Sequence, residues 1–221
     1  VTSMRSFSNG SQGVFLQSAG YNTFQGNTIY NNGGNGIDIT SSNNNLISGN
    51  NIYFNSSIGI NLTNASNNYL VSNVISTHTS GSSININGSS TFNTAANNYL
   101  VRGLNSFSVG SSAANNLFVG NIGLTNLSIG ITVASSGNTF ISQSLYSGSH
   151  YGFQSVGGTS NTVVESRLGY DQFGIPRQNT TFELSESNAS VSDLVLKSCL
   201  INPALGIDTA GFSRANTYLV S

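Results

Sequence analysis

Apolar and polar residues alternate over four to five positions at a time along this chain, and short clusters of Asn, Ser and Gly interrupt the alternation at regular intervals. A period of two is the signature of a strand with one face buried. No stretch sustains a period of 3.6, so no helix is predicted. The interrupting clusters, such as residues 31–35 and 41–45, are rich in residues that tolerate positive φ and close tight turns. The pattern therefore predicts short strands with a corner every seven or eight residues.

The corners repeat. Residues 22–30 (NTFQGNTIY) align with residues 45–53 (NLISGNNIY) without a gap, and residues 36–40 (GIDIT) with 59–63 (GINLT), both at an offset of 23. A small residue followed by an apolar one recurs as Gly13-Val14, Gly36-Ile37, Gly59-Ile60, Ser83-Ile84, Gly130-Ile131, Gly152-Phe153, Gly174-Ile175 and Gly206-Ile207, with a degenerate copy at 106–109. Asn before an apolar pair recurs at Asn22, Asn45, Asn68, Asn98, Asn116, Asn138, Asn161 and Asn216, with Asp193 as a replacement. A fixed period of this size marks a solenoid. The whole chain, 1–221, reads as a single all-β domain: a parallel β-helix of about nine coils of roughly 23 residues. The intervals 68–98 and 174–206 are longer than one period, which predicts loop excursions near 87–96 and 176–190.

One coil cannot bury its apolar face, whereas stacked coils make a continuous core. Ile37, Ile39, Ile60, Leu62, Ile84 and Ile86 are expected to stack inward as aliphatic ladders. The corner asparagines are expected to form a ladder of their own, each in the left-handed region and bonded through its amide to the one above and below. The same stacking explains the scarcity of charge, because like charges at coil spacing repel along a whole column.

The Asn-X-apolar-X-Gly-Asn and Gly-Ile-X-Ile patterns resemble the right-handed parallel β-helix repeats of the pectin-lyase-like superfamily, over about residues 13–221. The resemblance implies the right-handed fold. It leaves function open, since such proteins include polysaccharide lyases and hydrolases, phage tailspikes, adhesins and surface proteins.

Charge narrows the choice. Only 6% of residues are charged and the net charge is -1, which leaves no basic field for nucleic acid. No apolar run is long enough to insert in a membrane. The acids are Asp38, Glu165, Asp171, Glu183, Glu186, Asp193 and Asp208. Polysaccharide hydrolysis needs a pair of carboxylates, and lysis a base with a cation held by several acids. Asp38 stands alone between residues 6 and 101, beside Asn61 and Asn85 in register, and is expected to belong to an outward polar ladder. The enzymatic candidates are then Glu165, Asp171 and Asp208 in the C-terminal third. Gly33–Asp38 imitates a calcium-roll motif but has no copy nine residues later, and neither His78 nor His150 has the companions of a metal site, so neither a metal nor a cofactor is expected. Tyr30 and Tyr53 fall in one column, Tyr69 and Tyr99 in another, and Tyr30 and Tyr53 are the candidates for stacking on sugar rings. Sequons at Asn9, Asn55, Asn61, Asn64, Asn87, Asn126, Asn179 and Asn188 are no more than 33 asparagines supply by chance.

Two readings follow. The first is a non-enzymatic extracellular or cell-surface solenoid, a spacer, filament segment or adhesin that packs laterally or end to end with like subunits. The alternative is a carbohydrate-binding or polysaccharide-degrading β-helix protein whose partners are glycans.

Overall fold

The computed structural model describes residues 1–76, 78, 80–147 and 151–168, and beyond them the strands Thr181–Leu184, Val195–Lys197, Leu200–Ile201, Ile207–Asp208 and Tyr218–Val220. Strands of two to five residues follow one another through three parallel sheets in rotation, giving a right-handed β-solenoid. The first sheet starts at Arg5–Phe7, Thr28–Tyr30 and Asn51–Tyr53, and the third at Thr23–Gln25, Leu46–Ser48 and Tyr69–Val71. The second sheet comprises Val14–Gln17, Ile37–Thr40, Ile60–Thr63, Ile84–Asn87, Phe107–Val109, Ile131–Val133, Tyr151–Ser155, Thr181–Leu184 and Ile207–Asp208. Seven turns, from Arg5 to Val164, are described throughout, and the two beyond them by their strands. The expected count of nine is therefore slightly high for the described body, while the all-β class stands.

Each strand buries alternate residues. Ile29, Ile52, Ile75 and Leu100 form one inward column, and Ile37, Ile60 and Ile84 another, as the alternation requires. A buried aliphatic side chain of this size contributes roughly 1.5–3 kcal/mol. The core then changes character. From the fifth turn it is filled by Phe107, Phe118, Phe140 and Phe153, whose successive ring centroids lie 5.0, 4.5 and 5.6 Å apart. Ala95 in the column of Phe118 and Gly123 in the column of Leu100 are the small residues beside these rings.

The corners hold three asparagine ladders. Asn22, Asn45, Asn68, Asn93, Asn116, Asn138 and Asn161 form one between the second and third sheets. Asn27, Asn50, Asn73, Asn98 and Asn121 form the next, ending on Gln143, whose backbone N–H donates to Ser166. Asn9, Asn32 and Asn55 form the third. Each rung works alike. The Asn50 Oδ1 accepts the backbone N–H and the side-chain amide of Asn27, both at 2.9 Å, and its Nδ2 donates to the Phe24 carbonyl and to Asn73 Oδ1. The chain thereby satisfies corner groups that its strands cannot pair. The ladder residues are not left-handed, as the sequence suggested. The residue before each one is: Gly26, Gly49, Ser72, Asn97 and Gly120 before the second ladder, all at positive φ. One residue makes the bend and the next carries the bond.

Three expectations about register change. Asn68 pairs with Asn93 and Asn98 with Asn121, so the apparent intervals 68–98 and 98–116 step between two ladders. The extra length is two single-residue insertions, visible as offsets of 24 at Ile60↔Ile84 and 25 at Tyr69↔Thr94. Residues 87–96 thus form an ordinary corner closed by the strand Thr94–Ala96 rather than an excursion. Within 176–190, Thr181–Leu184 is a strand of the second sheet, and the remainder, with Gly174-Ile175, lies outside the described residues. Tyr69 is in the third sheet and Tyr99 in the first, so they share no column.

Candidate glycan-binding face

The outward positions of the second sheet make one continuous column. Phe15, Asp38, Asn61, Asn85, Ser108, Thr132 and Gln154 are successive partners, and the register continues through Glu183 to Asp208. A second row, Gln17, Thr40, Thr63 and Asn87, runs beside it. The predicted alignment of Asp38 with Asn61 and Asn85 holds. Asn61 Nδ2 donates to Asp38 Oδ1 at 2.9 Å and Asn85 Nδ2 to Asn61 Oδ1 at 2.7 Å. Asp38 is 8% exposed and also accepts from Gln12 Nε2, Asn35 Nδ2 and Thr40 Oγ1. Four donors explain how a lone carboxylate sits in a stack of amides without a cation. Phe15, 53% exposed, stands at the start of the column as an apolar ring beside polar groups.

The predicted tyrosine column is present as a row of stacked rings. Tyr30 and Tyr53 stack with centroids 5.1 Å apart and planes 8° off parallel. Phe7, which the sequence reading missed, stacks on Tyr30 at 5.2 Å and 10°. Phe54 meets Tyr53 edge-on, and the Arg5 guanidinium lies 5.8 Å from the centroid of Tyr30. Tyr30 is stacked between Phe7 and Tyr53, whereas Tyr53 is stacked on one side and has Ser76 as its next partner in register.

The acidic candidates separate. Glu165 is an exposed residue at positive φ (49°) on the corner between the third and first sheets. Asp208 is on the second sheet, paired in register with Glu183, so Glu165 and Asp208 share no sheet face. Asp171, His150 and Cys199 lie outside the described residues. The Glu183–Asp208 pairing escaped sequence reading because the register advances 29 residues from Gln154 to Glu183 and 25 from there to Asp208.

His78 takes the place after Asn55 in the third ladder, at the position of Asn32 and Asn55 beside a glycine. An added Cβ on Gly36 would lie 3.0 Å from Asn55 Nδ2, and one on Gly59 2.8 Å from His78 Nε2. It is 2% exposed, and neither ring nitrogen has a hydrogen-bond partner among the described residues. Burial lowers its pKa to about 4, with the Asn55 backbone opposing the shift. The following rung is Gly103, where an added Cβ would meet Ser83 Oγ at 2.6 Å, so the ladder ends here. Among the described residues no three His, Cys, Asp or Glu gather to hold a metal, and no helix is long and apolar enough to cross a membrane.

Residues 2–168 match the family model described as right handed beta helix region. No curated protein matches the chain. Among solved structures, the periplasmic alginate epimerase AlgG superposes with a TM-score of 0.58 at 15% identity, over 96% of this chain and 61% of the epimerase. A mutant of the same epimerase gives 0.59 at 15%, over 97% and 51%. The catalytic domain of an α-1,3-glucanase superposes more loosely, at 0.48 and 14%, over 100% and 62%. At such identities the likeness is one of fold, and this chain spans only 51 to 62% of the length of these structures.

Proposed function

Because the chain belongs to the right-handed β-helix family, we propose that it is a carbohydrate-binding member with a polysaccharide-processing role, and that it holds a glycan along the outer face of the second sheet. One observation carries this reading: behind an exposed Phe15 and the buried Asp38, the column runs on through the amide and hydroxyl residues Asn61, Asn85, Ser108, Thr132 and Gln154, one per turn. Sugar hydroxyls both donate and accept, as Asn, Gln, Ser and Thr side chains do. A rigid strand face preorganises those groups at a spacing of about 4.8 Å. The fold match to an epimerase named for alginate supports a glycan rather than a protein partner.

If the protein also acts on the glycan, Asp208 is the catalytic candidate best placed, with Glu183 as its partner. The two are partners in register on adjacent strands of the second sheet, and glycoside hydrolysis calls for a pair of carboxyl groups. Glu165 and Asp171 remain the other acidic candidates. Tyr30, stacked on both faces, offers a sugar its edge and hydroxyl, and Tyr53 remains a candidate for ring stacking at the end of the aromatic row. An extracytoplasmic location fits the periplasmic setting of the neighbour.

The non-enzymatic reading keeps one support of its own. Val74, Tyr99 and Ile122 form an outward apolar column on the first sheet, 39 to 42% exposed, on which a like subunit can pack. Screening the chain against a polysaccharide panel, with reducing-sugar and unsaturated-product assays on the binders, separates the two. Binding that falls on Asn61→Ala or Asn85→Ala supports the glycan face, and turnover lost in Asp208→Asn or Glu183→Gln adds the chemistry. No binding and no turnover across the panel leaves the spacer or adhesin reading.

A further inference from the structure

We infer that the glycan accepted by the second sheet is a neutral polymer, and that polyuronates are rejected; this rests on the proposal that the second sheet is the binding face. The nine strands of that sheet contain three acids, Asp38, Glu183 and Asp208, and no Lys or Arg. In register all three fall on one line of partnered strand positions, Asp38 at its second place and Glu183 and Asp208 at its last two. The cationic residues among those described stand elsewhere: Arg5 and Arg167 in strands of the first sheet, Lys197 in a strand of the third, and Arg102 on the positive-φ residue that leaves the first sheet. Arg5 is in addition engaged with Tyr30, to whose hydroxyl its Nη2 donates at 3.3 Å.

A polyuronate brings one carboxylate per sugar. Lying along this column, it would place those carboxylates against a row containing acids, amides and hydroxyls, with no counter-charge on the sheet. Recognition of a carboxylate relies on Arg, Lys or a bridging cation. Like charges set side by side across an interface act as a device of rejection. A neutral glycan meets none of this. Its hydroxyls pair with Asn61, Asn85 and Ser108, and its apolar ring face suits Phe15. The inference departs from the substrate named for the structural neighbour, since alginate is a polyuronate. Among the described residues, its second sheet is built for a different charge class.

The test is affinity electrophoresis of the full chain at low ionic strength through gels containing a neutral glucan, mannan or xylan, or an alginate or polygalacturonate. Retardation by at least one neutral polymer is expected, with acidic polymers weaker by about tenfold or more. Asn85→Ala, and the milder Ser108→Ala should the first fold poorly, are expected to weaken neutral binding by several-fold. Asn85→Lys is expected to gain affinity for the acidic polymers. Salt-sensitive binding of acidic polymers at least as tight as neutral ones overturns the inference and leaves the polysaccharide proposal standing. Retardation by none overturns that proposal itself. Neutral binding untouched by folded column variants overturns the assignment to this face.

Discussion

Replacing His78 by Asn should stabilise the protein and remove most of its sensitivity to mild acid. The perturbation completes a ladder. An Asn at position 78 repeats what Asn55 does for Asn32, accepting its backbone N–H at 3.1 Å and its side-chain amide at 2.9 Å while donating to a carbonyl of the preceding turn. Histidine offers a ring whose two nitrogens are unpaired among the described residues. Two or three hydrogen bonds at a net of about 1 kcal/mol each make the variant about 2–3 kcal/mol more stable at neutral pH.

The pH term has a definite sign. The folded pKa is about 4 and the ordinary value 6.5, so the unfolded chain binds the proton more readily. Stability from this group is complete above pH 6.5, declines as pH falls between 6.5 and 4, and is level below 4. At pH 4.5 the loss is on the order of 2–3 kcal/mol, since a tenfold difference in proton affinity is worth about 1.4 kcal/mol. The background is low, since the chain has seven carboxyl groups and two histidines. Urea unfolding followed by far-ultraviolet circular dichroism at pH 7.5 and 4.5 measures both terms. A wild-type midpoint that does not move between these values, or a His78→Asn variant that moves as much as wild type, would refute the reasoning.

Further outcomes follow from the same geometry. Asn50→Ala removes four ladder bonds and leaves buried backbone groups unpaired, so a loss of about 3 kcal/mol is expected in chemical denaturation, more than for any outward residue of the second sheet. Phe118→Ala opens a cavity between Phe107 and Phe140 and should lower stability by about 3–5 kcal/mol in the same assay. Asn87 should deamidate before the other Asn-Gly asparagines, because the Gly88 N–H points at its own side-chain carbonyl (2.8 Å), whereas Asn9 is held by Asn32 and Gly36 by the Ile58 carbonyl. Peptide mass spectrometry after incubation at mildly alkaline pH should find the one-dalton gain at Asn87 first.

What the sequence discloses is set by how many residue types can fill a position. The inward columns admit only apolar side chains, so Ile37, Ile60 and Ile84 declare both fold and period. The Asp38–Asn61–Asn85 row follows from the same register. The ladders misled for a physical reason. Each coil carries asparagines at two or three corners, each before an apolar pair, so Asn98 was read as successor to Asn68 when the two belong to different ladders. That single step displaced Tyr99 and turned two one-residue insertions into a loop. Phe7 and Phe15 escaped because an exposed aromatic on a strand has no periodic signature. His78 escaped because its position is identified only by Asn55 beneath it, and the sequence places no asparagine there.

The ladders also explain why function can be sought on one face. Stability here comes from inward columns and corner amides, which use the middle residue of the three-residue strands in the first and third sheets, the first and third residues of second-sheet strands, and the residue after each bend. The outward residues are almost free of that duty, and on most of the surface they are small, hydroxylated or apolar. On the second sheet the outward positions include a hydrogen-bonded row of Asp38, Asn61 and Asn85, whose register runs on to Glu183 and Asp208. Repetition of the coil does not demand this, since the same positions hold Tyr and Val on the first sheet and Leu, Tyr and Thr on the third. A column that the fold does not need, made of the groups that bind sugars, is the part of this protein whose residues answer to something outside it.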